Sequence, residues 1–369
     1  MKYDAITLDT SVFDRHQLNF QGGMLKQLFQ FKEGLAQFVV SEIVIREVHK
    51  HLTLRGQRAK EALKAAIQKT SESALTDAAS IATLTKIDEN LMPVRDAARA
   101  QIERFLVDTG GEIVAAEKGD MKRLIAMYFG TQAPFADSEE KKNEFPDAIA
   151  LMTLEDWAKA NNKKILAIST DAGWAQFATH SEWIDVEADL AAALQQLQKD
   201  AEKARGIVAD LLQKIETGKA PEDLRLITDE VDRQVADLSP YVEASAGYYY
   251  DSELTEMSFQ SMEFLKEDDD GFYIVQMGKD KIVARVAVTI RAKAKAEFTF
   301  QTKDEGEYIP IGDCVAEQDV EFEAGLLLTI EGDFSQEPLE HEITDIELVD
   351  AIKSVDFGDV EIDWDHYDE

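Results

Sequence analysis

The sequence predicts a chain in two parts: an α/β first half built on a parallel sheet, then a β-rich second half joined to it by helices. Three observations carry this. Short apolar runs alternate with helical stretches through residue 187, the signature of strands crossed over by helices. From 282 to 300 apolar side chains occupy every even position, from Ile282 to Phe300, and Val320 to Ile330 repeats the pattern. Charge divides the same way: residues 1–200 carry 24 basic and 30 acidic side chains, residues 201–369 carry 15 and 43, within a net charge of −34 over 369 residues.

The elements follow in order. YDAITL (3–8) reads as a buried strand closed by Asp9, Met24–Phe31 as helical, and Gln37–Val40 as a second strand. Ser41 is a good N-cap for SEIVIREVHKH, with acids early and cations late as the helix dipole prefers. Leu52 to Arg104 reads as a long helical pair broken near Pro93, and EIVAA (112–116) as a short strand. Residues 119–128 read as a helix. Pro146 suits the first turn of the helix DAIALMTLEDWAKANN. KILAIST is a strand closed at Asp171, followed by a helix over 173–178 and a last strand, WIDVE (183–187). A helical connector is expected over 188–240 and an acidic β-rich domain over 241–369. There the period of two predicts long antiparallel strands with one wet face. Arg291, Lys293 and Lys295 on one such face, against Glu321 and Glu323 on the other, suggest cross-strand neighbours.

Composition narrows the function. The net charge excludes a molecule-wide electrostatic funnel for nucleic acid. A single cysteine, Cys314, excludes an intrachain disulfide and thiolate-rich zinc sites. No apolar run is long enough to span a membrane, and the N-terminus lacks a signal-peptide pattern, so a soluble cytoplasmic protein is expected. The six histidines form no HxxxH or HExxH pair, and no GxxxxGK[ST] loop is present. A haloacid-dehalogenase-type site wants an aspartate at position 11, which is Ser11.

Asp9 and Asp171 stand at strand ends, Asp147 in a helix first turn, and Glu47 on the helix after the second strand. Ligands of open parallel sheets bind beyond the carboxyl ends of the strands, so these four could share a cleft. Clustered carboxylates repel, and a hard cation such as Mg2+ or Mn2+ relieves the repulsion. Such an ion can activate a water for attack on a phosphodiester. Acids are equally common at strand ends and helix starts for solvation alone, so spacing by itself leaves both readings open.

The segments LDTSVF (8–13), SEIVIREV (41–48), EFPDAIAL (144–151) and ISTDAGWAQFA (168–178) resemble, in that order, PIN-domain nucleases. They are especially like the larger PIN-like group with a KKxEFPDA segment, here Lys141 to Ala148. The resemblance spans residues 1–187, with a helical insertion at about 52–110. It implies Asp9, Glu47, Asp147 and Asp171 as metal ligands for Mg2+ or Mn2+. Glu144 would be an extra ligand, and Thr10, Ser11 and Thr170 would be hydroxyls beside the scissile phosphate or behind the ligands. Lys142 is a candidate phosphate contact. Arg55, Arg58, Lys60 and Lys64 form a candidate RNA surface in a stretch where Glu61 is the lone acid. Trp157 and Trp174 are read as packing residues. The implied activity is endoribonucleolytic, as in toxin–antitoxin, phage-defence or RNA-processing systems. The alternatives are a non-catalytic PIN-like scaffold and a DNA-directed flap-type nuclease. For the acidic half three roles stand: a dimerisation or scaffold domain, recognition of a basic or regulatory partner, or a charge mimic of nucleic acid that restrains the nuclease.

Overall fold

A computed structural model describes residues 2–34, 36–73, 75–135, 141–199, 201–265, 271–304, 307–334 and 341–363. The chain divides into two compact units, Met1–Leu197 and Gln198–Glu369.

In the first unit β1 (Ala5–Leu8) leads into α1 (Thr10–Arg15) and α2 (Gly23–Lys26). β2 (Gln37–Ser41) then runs directly into α3 (Glu42–Glu72), whose N-cap Ser41 accepts from the Ile43 amide at 3.2 Å. α4 (Ala78–Asn90), α5 (Val94–Thr109), β3 (Glu112–Val114) and α6 (Met121–Phe129) follow. α7 (Phe145–Asn161) carries Pro146 in its first turn, where a missing N–H costs nothing. β4 (Ile165–Ile168), α8 (Ala172–Ala178), β5 (Ile184–Glu187) and α9 (Leu190–Leu197) complete the unit.

The strands form a parallel sheet in the order β3-β2-β1-β4-β5. The chain winds outward from β1 through β2 to β3, and on the other side from β4 to β5. The order therefore reverses between β1 and β4, and the crevice beyond their carboxyl ends is the topological switch point. β1 and β4 are wholly buried, and apolar but for Thr7, as strands covered on both faces are.

The region read as a helical pair is three helices, and its beginning is inseparable from the preceding one. α3 continues without a break from Glu42 to Glu72, because no Pro interrupts it and Ala, Lys, Glu and Gln sustain it. α5 returns to the core: Phe105 is buried and packs its ring against Phe13, Phe20 and Phe38 at centroid distances of 6.0, 4.7 and 5.8 Å. The stretch expected as a connector is divided between the units, α9 lying in the first.

In the second unit α10 (Ala201–Glu216) and α11 (Pro221–Ala236) precede β6 (Tyr241–Ser245), β7 (Tyr249–Phe264) and β8 (Phe272–Met277). The long hairpin β9 (Lys281–Asp304) and β10 (Glu307–Gly332) follows, then β11 (His341–Val349) and β12 (Ser354–Asp359). β11-β10-β9-β7 form an antiparallel sheet, with β8 also on β9. The even residues of β9 are buried from Ile282 to Phe300, and Ile207, Leu211, Ile227 and Val231 of the two helices join them in one core. On the wet face Lys295 faces Glu317 and Arg291 faces Glu321, whose carboxylate accepts from the Arg291 Nε at 2.6 Å. The opposite charges read in the sequence thus lie across from one another in the hairpin. Edge strands are covered by side-chain amides. Gln234 donates to the Ile346 carbonyl and accepts from the Leu348 amide, both at 2.7 Å, while Gln198 donates to Val275 O and accepts from Met277 N.

Candidate active site

The four acids arrive at the switch point by separate routes. Asp9 is the residue after β1, and Asp171 caps α8 just beyond β4. Asp147 lies in the first turn of α7, and Glu47 in the second turn of α3. Each is held by a donor of its own. Asp9, 6% exposed, accepts from the Ser11 hydroxyl at 2.6 Å and from the Ser169 hydroxyl at 2.9 Å. Glu47 accepts from the Thr10 hydroxyl at 2.6 Å. Asp147 accepts from the indole Nε1 of Trp174 at 2.8 Å. Asp171 accepts from the amides of Gly173 and Trp174 at 2.6 and 3.2 Å, an ordinary helix cap.

Electrostatics joins these groups. Burial pushes the Asp147 carboxyl up to about 6; the Trp174 indole opposes the rise, and the charges of Asp9, Asp171 and Glu47 add to it. Asp9 is also raised, chiefly by burial, with the charge of Asp171 adding and the bonds from Ser11 and Ser169 opposing. A carboxylate destabilised both by desolvation and by three other acids is one that a cation would relieve.

The carboxylates do not form a finished ligand set. Among the described residues no three His, Cys, Asp or Glu side chains close around one point as a metal cage would require. Mutual repulsion and the separate donors explain this: each acid leans on its own hydroxyl, indole or amide. In donor chemistry the cluster fits a hard divalent ion, since every candidate ligand is a carboxylate oxygen.

The remaining candidates fall out as follows. Thr10 and Ser11 both stand behind acids. Thr170 is exposed; Ser169, buried at 2%, takes the inner position, bonding Asp9 and accepting from the Asp171 amide at 3.0 Å. Trp174, fully buried, is a packing residue that also holds Asp147. Sequence reasoning missed both roles. The adjacency of Ser169 to the strand end was the available signal for one; for Trp174 there was none, because its partner lies 27 residues away. Glu144 is half-buried at the N-cap of α7, one turn before Asp147. The Lys142 side chain lies outside the described residues.

The basic side chains of α3 do not make one patch. At 100° per residue Arg55 and Arg58 lie on the side of Glu47, and Lys60 and Lys64 on the opposite side. Arg55 donates to the Gln17 carbonyl, whereas Lys60 lines an apolar groove with Leu52, Leu91 and Val94.

Residues 6–174 match the family model of the PIN domain. This chain carries a PIN domain. The match begins in β1 and ends in α8, and so takes in all four acids. PIN domains are generally nucleases and typically use divalent metals such as Mg2+ or Mn2+. No curated protein and no solved structure matches the chain. No described helix is long and apolar enough to cross a membrane.

Proposed function

We propose that the first unit is a metal-dependent endoribonuclease of the PIN-like group with a KKxEFPDA segment. The observation that carries the proposal is the arrival of four acids, from β1, α3, α7 and the cap of α8, at one switch-point crevice, where three of them act electrostatically on Asp147. Asp9, Glu47, Asp147 and Asp171 would hold Mg2+ or Mn2+, with Glu144 beside them. The bound ion supplies a water of lowered pKa and steadies charge on the phosphodiester.

The chain's own groups do the rest. Ser11 and Ser169 fix the orientation of the Asp9 carboxylate, and Thr10 fixes that of Glu47. Trp174 holds Asp147 and, being buried against it, keeps water from one side. Outer-shell bonds of this kind set both the aim and the basicity of ligands.

The test is cleavage of end-labelled single-stranded RNA and DNA in Mn2+, in Mg2+ and in chelator, with Asp9→Asn and Asp147→Asn as controls. RNA cleavage that needs the ion and falls by more than the ~10–100-fold expected of an outer-shell change supports the reading. Activity unchanged by either substitution overturns it. Preference for DNA would assign the flap-type alternative, and no cleavage of either strand would assign the non-catalytic one.

A further inference from the structure

A second feature of the PIN unit lies along α3, outside the acidic crevice. Between α3 and α5 runs a groove of about 880 Å³. Arg46 and Lys50 line it from α3, and Arg95 and Arg99 from α5. Each pair is spaced i, i+4, so each forms a row along its helix, and the two rows share one groove. All four residues are exposed. Arg46 is paired with Glu42 at 2.5 Å; among the described residues no ion pair engages Lys50, Arg95 or Arg99. The helices are tied together here by His49, whose Nε2 lies 3.0 Å from the Arg95 carbonyl.

Four exposed cations gathered in one groove make a local positive patch in a chain that carries nearly twice as many acids as bases, and an anion is the ligand such a patch fits. Arg95 and Arg99 favour phosphate, whose oxygens accept the planar guanidinium fork bidentately, whereas the fork of Arg46 is turned to Glu42. The floor and walls are not uniformly polar. Leu54 and Ile113 remain 45% and 43% exposed in the lining, apolar surface of the kind on which a ribose or base can rest. Glu103 and Gln57 also line it. A carboxylate among cations, in a groove fit for phosphate, can only accept a hydrogen bond, and a 2′-hydroxyl is the donor that an RNA strand brings and a DNA strand lacks. The groove runs from Arg46 to Gln57, about 16 Å along the helix. Its near end adjoins the acidic site, since Lys50 is three residues from Glu47 and hence its neighbour on the helix surface.

We propose that this groove is the docking track for single-stranded RNA, leading the strand past Lys50 to the acids. The proposal rests on the ribonuclease reading of the same unit. It moves the RNA surface away from the Arg55–Lys64 stretch and gives α5 half of it.

The experiment measures binding of the full chain to a fluorescein-labelled single-stranded RNA of mixed sequence by anisotropy, in chelator and across a salt series, with the DNA of the same sequence alongside. The variants are Arg95→Glu/Arg99→Glu and the milder Arg95→Gln/Arg99→Gln, each checked by thermal melting. Loss of two phosphate contacts flattens the slope of log affinity against log salt by about 1.4, at ~0.7 per contact on single strands. Folded variants that bind RNA with the affinity and slope of the parent overturn the proposal, as does a parent chain that binds no RNA. Parent affinity for DNA equal to that for RNA overturns the choice of RNA, and poly-glutamate competing as well as RNA would assign the groove to an acidic polypeptide instead. Because binding is read without metal or cleavage, its failure is separate from failure of the nuclease reading, which the Asp9→Asn cleavage assay decides.

Discussion

Replacing Asp147 with asparagine removes a charge while leaving shape and hydrogen bonding nearly intact, since the amide oxygen can still accept from the Trp174 indole. The electrostatic cost of the charge follows from linkage. The Asp147 carboxyl sits at about 6 in the folded chain against an ordinary 3.8. An acid raised in this way binds its proton more tightly folded than unfolded. Stability is therefore unaffected below 3.8, falls as the pH rises through the interval between the two values, and carries the full penalty above 6. At 1.36 kcal/mol per pH unit the penalty is about 3 kcal/mol. For a unit of 197 residues this corresponds to a melting shift of roughly 6–12 °C. The assay is thermal melting of parent and Asp147→Asn in chelator, from pH 4 to pH 8. The variant should match the parent at pH 4 and melt several degrees higher at pH 8. Adding Mn2+ should then stabilise the parent, by mass action on the folded state, and leave the variant much less affected. A variant that melts at or below the parent at pH 8 in chelator refutes the claim that Asp147 is a desolvated, charge-crowded acid.

Two further substitutions separate positioning from packing. Ser169→Ala deletes the donor to Asp9 and the acceptor for the Asp171 amide, and should weaken Mn2+ affinity roughly 10–100-fold, measured by titration calorimetry, whereas Thr170→Val at the exposed neighbour should leave it unchanged; an affinity unchanged in Ser169→Ala would place that hydroxyl outside the ion's surroundings. Trp174→Phe keeps most of the buried ring but removes the bond that opposes the rise in Asp147, so the acid limb of the pH–rate profile should move to higher pH; a limb that stays in place while only the melting temperature falls would reduce Trp174 to packing.

What could be read from the sequence was what repeats or what stands next to a breaker. The β9–β10 hairpin announced itself through alternation over 282–300 and 320–330, within strands of 24 and 26 residues, and its register through opposite charges at Arg291 and Glu321. Ser41 and Pro146 marked helix starts because capping and a missing N–H are local chemistry. The four acids stood out as a family pattern, Asp9 and Asp171 at strand ends and Glu47 and Asp147 in the early turns of helices. Less legible was anything decided by two distant segments. The helical stretch after His51 looked like an appendage, yet Phe105 returns from it to pack on Phe13, Phe20 and Phe38, contacts that no window of local sequence contains.

The basic surface shows the same limit in functional terms. Counting cations along the chain singled out Arg55, Arg58, Lys60 and Lys64, but counting ignores phase: on one helix these point to opposite sides. The row that faces α3's Arg46 and Lys50 comes from Arg95 and Arg99, four dozen residues later, where the local sequence is unremarkable in charge. A cation's value to a phosphate depends on what stands across from it, and that is a property of the α3–α5 packing. The acidic site obeys the converse logic. Asp9 and Asp171 follow the ends of β1 and β4, which pair side by side in the sheet, so topology alone makes these two acids neighbours. Those two acids are therefore fixed by the sheet, while the groove depends on how α5 packs against α3.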